Sequence, residues 1–187
     1  MKDIGLYHVR FETGDISSPP EGPFDAIVGR LVLMYQRDPE AVLRALADRL
    51  AAGGVMAFLE YEHVSSARVV MWPRSPSVDQ LVRWMVEGFR VLGVLERMAT
   101  RLPSLLRSVG LDPQPPYEAA SAVYTGPVVV EHETTLMQGL AGVLTANGIA
   151  TEEEIDIGTF ADRVRLECGP DPVLIIGPNL GVWAIKA

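Results

Sequence analysis

The chain has 187 residues, 48% hydrophobic and 21% charged, with a formal net charge of −8. That length and apolar content suffice for one packed core with insertions, and the absence of any low-complexity tract argues against disorder. The acidic balance, with no basic run, argues against non-specific nucleic-acid binding, and the single cysteine, Cys168, rules out an internal disulfide.

Met1-Lys2-Asp3-Ile4-Gly5 has no apolar signal-peptide region, and no apolar run approaches the roughly 18 residues of a membrane span. A cytoplasmic protein with neither membrane nor nucleic-acid partners is the expectation. Gly5 has the setting of a helix C′ glycine, as if the chain began inside an element.

His8 to Thr13 alternates, with Val9 and Phe11 on one face, and predicts a strand. Ser17 to Pro23 is a loop by composition. Phe24 to Gly29 is a continuous apolar run, predicted as a strand buried on both faces. Asp38 is placed to cap a helix, with Pro39 at its first position and Glu40 at its positive end. Val42, Leu43, Leu46, Ala47 and Leu50 form its apolar stripe. Gly53-Gly54 is expected to stop it, and Val55 to Leu59 to be the next buried strand.

Val64 to Met71 is apolar but uncapped, and Trp72 to Pro76 reads as a loop. Ser77-Val78-Asp79-Gln80 matches a capping box, followed by a stripe of Leu81, Trp84, Met85, Phe89, Leu92 and Leu95. Leu102 to Leu111 predicts a short helix with Pro103 near its start and Gly110 past its end. Tyr117 to Tyr124 predicts a strand, and His132 to Thr145 a helix. Thr151-Glu152-Glu153-Glu154 opens a further helical stretch to about Cys168. The chain closes with Val173 to Ile176, a break at Gly177-Pro178-Asn179, and a strand from Leu180 to Lys186. Strand, strand, helix and strand, with polar residues at the strand ends, is the pattern of an open parallel sheet that binds a small molecule there.

The segment Val9-Arg10-Phe11-Glu12-Thr13-Gly14-Asp15-Ile16, then Phe24 to Tyr35, Asp38-Pro39 and Leu50 to Gly54, resembles the class I S-adenosylmethionine-dependent methyltransferases of the bacterial small-molecule type. Leu102 to Leu106 with Gly110-Leu111, and Gly181 to Ala184, extend the resemblance over essentially the whole chain. It implies a Rossmann-like α/β fold with strand order 3-2-1-4-5-7-6 and an antiparallel seventh strand. Val9 to Thr13 becomes strand 3, Phe24 to Gly29 strand 4 and Val55 to Glu60 strand 5. Tyr117 to Tyr124 becomes strand 6 and Leu180 to Lys186 strand 7. Residues 1–62 are then a partial core, 63–101 a helical lid, 102–126 a core helix and strand 6, 127–170 a helical insertion, and 171–187 strand 7.

The chain departs from the family in one respect. The first strand with its glycine-rich loop, and the acid after the second strand, have no counterpart, and no Gly-x-Gly occurs in the sequence. The resemblance therefore predicts a methyltransferase lacking its N-terminal third. A bare edge on strand 4 would then invite pairing in a homo-oligomer or swapped dimer. Two functions follow: methyl transfer from S-adenosyl-L-methionine to a small-molecule acceptor, or a non-catalytic remnant acting as a dimerisation or binding module.

The resemblance implies that Asp15 accepts from the adenine amino group, with Ile16 next to it, and that Gly29, Arg30 and Leu31 lie beside the cofactor. On residues alone, Asp15 is equally an Asx-turn acid facing Ser17, Arg30 a strand-exit charge and Gly29 a strand-end glycine. Glu60, Glu62 and His63 are the one cluster able to supply a base, or else a solvated loop. Tyr35, Trp84 and Phe89 are candidates for an acceptor pocket, or simply packing. His132 between Glu131 and Glu133 does not make a metal site, since adjacent helical residues point apart, and no metal is expected.

Overall fold

The structure, a computed structural model, describes residues 7–62 and 70–187. The Gly5 reading, most of the run beginning at Val64, and the candidate base His63 lie outside the described residues. The elements are β1 (Phe24–Arg30), a 3-10 turn (Leu33–Tyr35), α1 (Pro39–Asp48), β2 (Leu50–Tyr61), β3 (Val70–Trp72), α2 (Pro76–Val91), α3 (Met98–Ser108), β4 (Leu111–Pro113), β5 (Glu118–Thr125), α4 (Pro127–Ala146), α5 (Glu152–Ile155), α6 (Ile157–Cys168) and β6 (Val173–Lys186).

One mixed sheet organises them. β1 runs parallel to β2, and β2 runs antiparallel to β6 from Val55↔Ile185 to Tyr61↔Asn179. The opposite edge of β6 takes β4 and β5, also antiparallel, while its first residues pair with β3. The path β1-β2-β6-β5 reproduces the 4-5-7-6 portion of the expected order, with the reversed strand in the expected place. β6 is a single strand of 14 residues, not two. The expected break survives as an irregularity at Gly177, opposite a register shift between Ala120 and Ala122.

Val9 to Thr13 does not form the predicted strand. It is irregular and exposed, with Phe11 at 84%. A strand needs neighbours to satisfy its backbone and cover its apolar face, and this segment has none among the described residues. β1 is correspondingly an edge, paired only with β2. The prediction that it is buried on both faces also fails, since Val28 is 79% exposed. Among the described residues, helices cover one side of the sheet only. There Met56 and Phe58 of β2 and Val182 and Ala184 of β6 pack with Leu43 and Leu46 of α1 and Leu102 and Leu106 of α3. The other side carries the cross-strand row Val28, Ala57 and Trp183.

Local chemistry explains the remaining differences. Asp38 caps α1 as expected, its carboxylate accepting from the Ala41 amide at 2.9 Å. The helix ends at Asp48, however, and Gly53-Gly54 lies in a bulge of β2, where Gly53 takes a left-handed φ of 74°. α2 is capped by Ser75 rather than Ser77, because Pro76 takes the first helical position and the Ser75 hydroxyl accepts from the Val78 amide. α3 begins at Met98, upstream of Pro103, since the Glu62 carboxylate accepts from the Thr100 amide and hydroxyl and satisfies its first turn. Thr151 and Glu154 form a capping box, but the stretch to Cys168 breaks at Asp156, whose φ is 41°.

A second core gathers the lid and insertion segments. Val78, Leu81 and Met85 of α2 pack with Met137, Leu140 and Leu144 of α4 and Phe160 and Val164 of α6. Glu167 ties this helical layer together: its carboxylate accepts from the Ser75 hydroxyl, the Ser77 amide at 3.0 Å and the Ser77 hydroxyl at 2.9 Å. Phe89 touches both cores. None of the described helices is long and apolar enough to cross a membrane.

Candidate functional site

The site forms where the chain leaves β1. Leu31 takes a left-handed φ of 53°, unusual for a residue with a Cβ, while its amide still donates to the Leu59 carbonyl at 2.9 Å. The chain then turns through Val32 into the 3-10 turn, whose leading amides have no partner of their own. Glu60, fully buried near the end of β2, supplies it. Oε1 accepts from the Val32 and Leu33 amides at 3.0 and 2.9 Å, and Oε2 from the Met34 amide at 3.4 Å. Burial pushes this carboxyl up, and the three amides pull it back without cancelling the rise. Glu60 is thus neither a solvated loop acid nor an unengaged base; both oxygens are turned to the backbone.

This anchoring places Met34 and Tyr35 beside a partly open pocket of about 190 Å³ at the C-terminal ends of β1 and β2. Leu31 and Tyr61 come from the strand ends, Ile176 from β6, Val82, Met85 and Phe89 from α2, and His132, Glu133 and Leu136 from α4. Tyr35 and Phe89 meet edge-to-face, centroids 6.4 Å apart. After α2 the chain is tied back to the strand tips, with the Leu95 amide donating to the Met34 carbonyl and the Arg97 amide to the Glu62 carbonyl. Tyr35, Phe89, His132 and Leu136 also line an open outer cleft of about 660 Å³ that includes Tyr124 and Glu131. Burial raises the Tyr35 and Tyr61 hydroxyls above their ordinary value, and the Glu60 charge raises Tyr35 further. Both phenols therefore stay protonated at neutral pH.

A separate groove holds Gly14, Asp15, Ile16, Val32, Tyr35 and Gln36. Asp15 makes the Asx turn that its own residue pattern allows: Oδ1 accepts from the Ser17 amide and hydroxyl, both at 2.8 Å, which holds the carboxyl below its usual value. Oδ2 has no partner among the described residues.

The predicted residues are therefore divided. Asp15 and Ile16 line the groove, Leu31 and Phe89 the chamber, and Tyr35 both. Gly29 and Arg30 border a depression on the uncovered sheet face, with Val28, Leu59, Glu118 and Trp183. A Cβ on Gly29 would lie 2.1 Å from the Phe58 ring, so the glycine accommodates a core aromatic. Trp84 packs against the helical core and lines neither cavity. No cluster of side chains suited to a metal ion occurs among the described residues.

Sequence reasoning passed over His132 and Glu133. Glu133 is 1% exposed, and its Oε1 lies 2.8 Å from His132 Nδ1. The imidazole packs against the Tyr124 ring, centroids 4.2 Å apart and planes tilted by 33°. The Glu-His-Glu string drew attention only as a metal pattern, and nothing in the local sequence marks Glu133 as buried.

Neither a protein-family model nor a curated protein sequence matches this chain. Solved structures do. A candidate methyltransferase from Bacillus halodurans C-125 superposes with a TM-score of 0.53 at 12% identity, over 96% of this chain and 78% of that one. The YcgJ protein from Bacillus subtilis superposes with a TM-score of 0.52 at 17% identity, over 97% of this chain and 73% of that one. The strand order and these overlaps agree: the chain carries a methyltransferase-like α/β fold of the class I type.

Proposed function

We propose that the chain takes part in methyl transfer from S-adenosyl-L-methionine to a small organic acceptor, with the chamber beneath α2 and α4 as the acceptor site. The observation that carries this is the position of that chamber. It lies off the C-terminal ends of the parallel strands of a methyltransferase-like sheet, where open α/β sheets bind their ligands. Through Tyr35 it adjoins the Asp15 groove, so donor and acceptor would meet at that ring.

The residues present suit one end of the cofactor. The open Asp15 oxygen can accept from an exocyclic adenine amine, with Ile16 against the ring. The ammonium and carboxylate of the methionine end meet no glycine-rich cradle among the described residues. When bound, the cofactor supplies an electrophilic methyl on a sulfonium; this chain supplies enclosure, orientation and exclusion of water. Gly29 and Arg30 take no part in this reading, since they border the opposite side of the sheet.

Isothermal titration of the chain with S-adenosyl-L-methionine and its demethylated product tests the proposal. Saturable binding of both is expected; no heat at millimolar ligand would overturn it. A second reading, a dimerisation or binding module without catalysis, is favoured by the free edge of β1 and the bare row of Val28, Ala57 and Trp183. Its mark would be a stable dimer that binds no cofactor.

A further inference from the structure

The chamber's walls are apolar except at the Tyr35 and Tyr61 hydroxyls and at His132 with Glu133. Leu31, Met34, Val82, Met85, Phe89, Leu136 and Ile176 offer no side-chain hydrogen-bonding group, whereas His132 and Glu133 do. Glu133 is almost completely buried and its one side-chain partner among the described residues is the His132 ring. A carboxylate only accepts, so in the neutral imidazole it selects the tautomer that carries the proton on Nδ1 and leaves a lone pair on Nε2. Nε2 has no hydrogen-bond partner among the described residues, although the ring borders both the chamber and the outer cleft. The tilted contact with Tyr124 supports one face of the ring, and the carboxylate holds its rotation. A fixed acceptor at the rim of an apolar cavity is an arrangement for recognising a donor on an otherwise apolar ligand.

Size narrows the class. The chamber holds about 190 Å³; an apolar protein cavity of about 150 Å³ is enough for benzene. One aromatic ring with a small substituent fits, and a longer substituent would run into the outer cleft. Tyr35, Tyr61 and Phe89 supply ring edges and faces for such a guest. A weakly acidic hydroxyl is a stronger donor to a neutral imidazole than an aliphatic alcohol. We infer that the chamber binds a small phenol, its ring enclosed between α2, α4 and the strand ends and its hydroxyl donating to His132 Nε2, with Glu133 as the positioning residue. This rests on the proposed acceptor site and names the acceptor class, but the binding itself requires no cofactor.

The test is titration of the full chain with p-cresol, toluene and benzoate, followed by calorimetry or ligand-observed NMR. p-Cresol is expected to bind about tenfold more tightly than toluene, and benzoate, which has no donor, not to bind. Toluene equal to p-cresol, or benzoate the tightest of the three, would overturn the inference. His132→Phe keeps a ring in contact with Tyr124 but removes the nitrogen, and should bring the p-cresol to toluene ratio close to one. A ratio unchanged in that variant would also overturn it. Glu133→Gln places an amide donor at Nδ1, favours the tautomer protonated at Nε2, and should lower p-cresol affinity while sparing toluene. Leu136→Trp fills the chamber and should abolish binding of both; if it does not, the ligand sits elsewhere. Phenol binding without S-adenosyl-L-methionine binding would keep this site and sink the methyltransferase reading, and the reverse result would do the opposite.

Discussion

Glu60 shows how one side chain can be misjudged from its neighbours in sequence. Beside Glu62 and His63 it reads as a member of an acid-base cluster. In the fold, its carboxylate closes the amides of the 3-10 turn that carries Met34 and Tyr35 to the chamber. Each buried amide left without an acceptor costs about 1–3 kcal/mol. Glu60→Ala should therefore destabilise the chain by about 3 kcal/mol, measured by urea unfolding, whereas Glu60→Gln keeps an acceptor for Val32 and Leu33 and should cost about 1 kcal/mol. Equal stability of the alanine variant and the parent would show that the turn does not depend on this carboxylate. Gly29 is a second case. A glycine at a strand tip suggests room for a ligand, yet the space is filled by Phe58.

At the scale of elements, the roof of the chamber depends on how α2 is held. Glu167 of α6 binds both serines at its start, Ser75 and Ser77. Burial works to raise the Glu167 carboxyl, but the two serines and the Arg163 charge outweigh it and leave the value below the ordinary one near 4.5. A lowered acid contributes stability that is present above its unfolded value and is lost as pH falls through its folded value. Glu167→Gln should therefore lower the melting temperature at pH 7, and the gap to the parent should close as both are acidified below about 4.5. Thermal melts from pH 7 to pH 3 would check this; a gap that stays constant would refute the clamp. The helices themselves were well marked in the sequence. Asp38, Pro39 and Glu40 announce α1, and Thr151 with Glu154 announces α5, because capping is settled within one turn.

For the whole molecule, the open question is the bare side of the sheet. β1 has one neighbour among the described residues, and its outward Val28 aligns with Ala57 and Trp183. An exposed apolar edge strand is a template for pairing. The chain should accordingly associate as its concentration rises, and Val28→Lys should shift it towards monomer while changing stability by less than about 0.5 kcal/mol. Light scattering coupled to size exclusion measures both species. A parent that remains monomeric over the whole range would remove the case for a dimerisation module. The likeness to these two solved structures bears on fold alone, at 12% and 17% identity, so the function stands on the chamber and on the binding experiments.

By itself the sequence determined the strands predicted at Phe24 to Gly29 and Tyr117 to Tyr124, which form as Phe24–Arg30 and Glu118–Thr125, the caps at Asp38 and Thr151, and the sheet order from β1 to β6 that the family resemblance implied. These rest on local signals: apolar runs, turn residues and side chains that reach their own backbone. It also supplied Asp15, Tyr35 and Phe89 as residues of interest without showing which would meet. Only the tertiary structure decided that Val9 to Thr13 forms no strand, that Gly53-Gly54 is a bulge, and that Glu60 faces three amides from residues 32–34. It alone brought α2 and α4 together over the strand ends and enclosed His132 with Glu133 beside Phe89. The reason is physical. A strand exists only with a partner, and a cavity only where elements distant in sequence converge. Neither partner nor convergence is written in a single window of the chain.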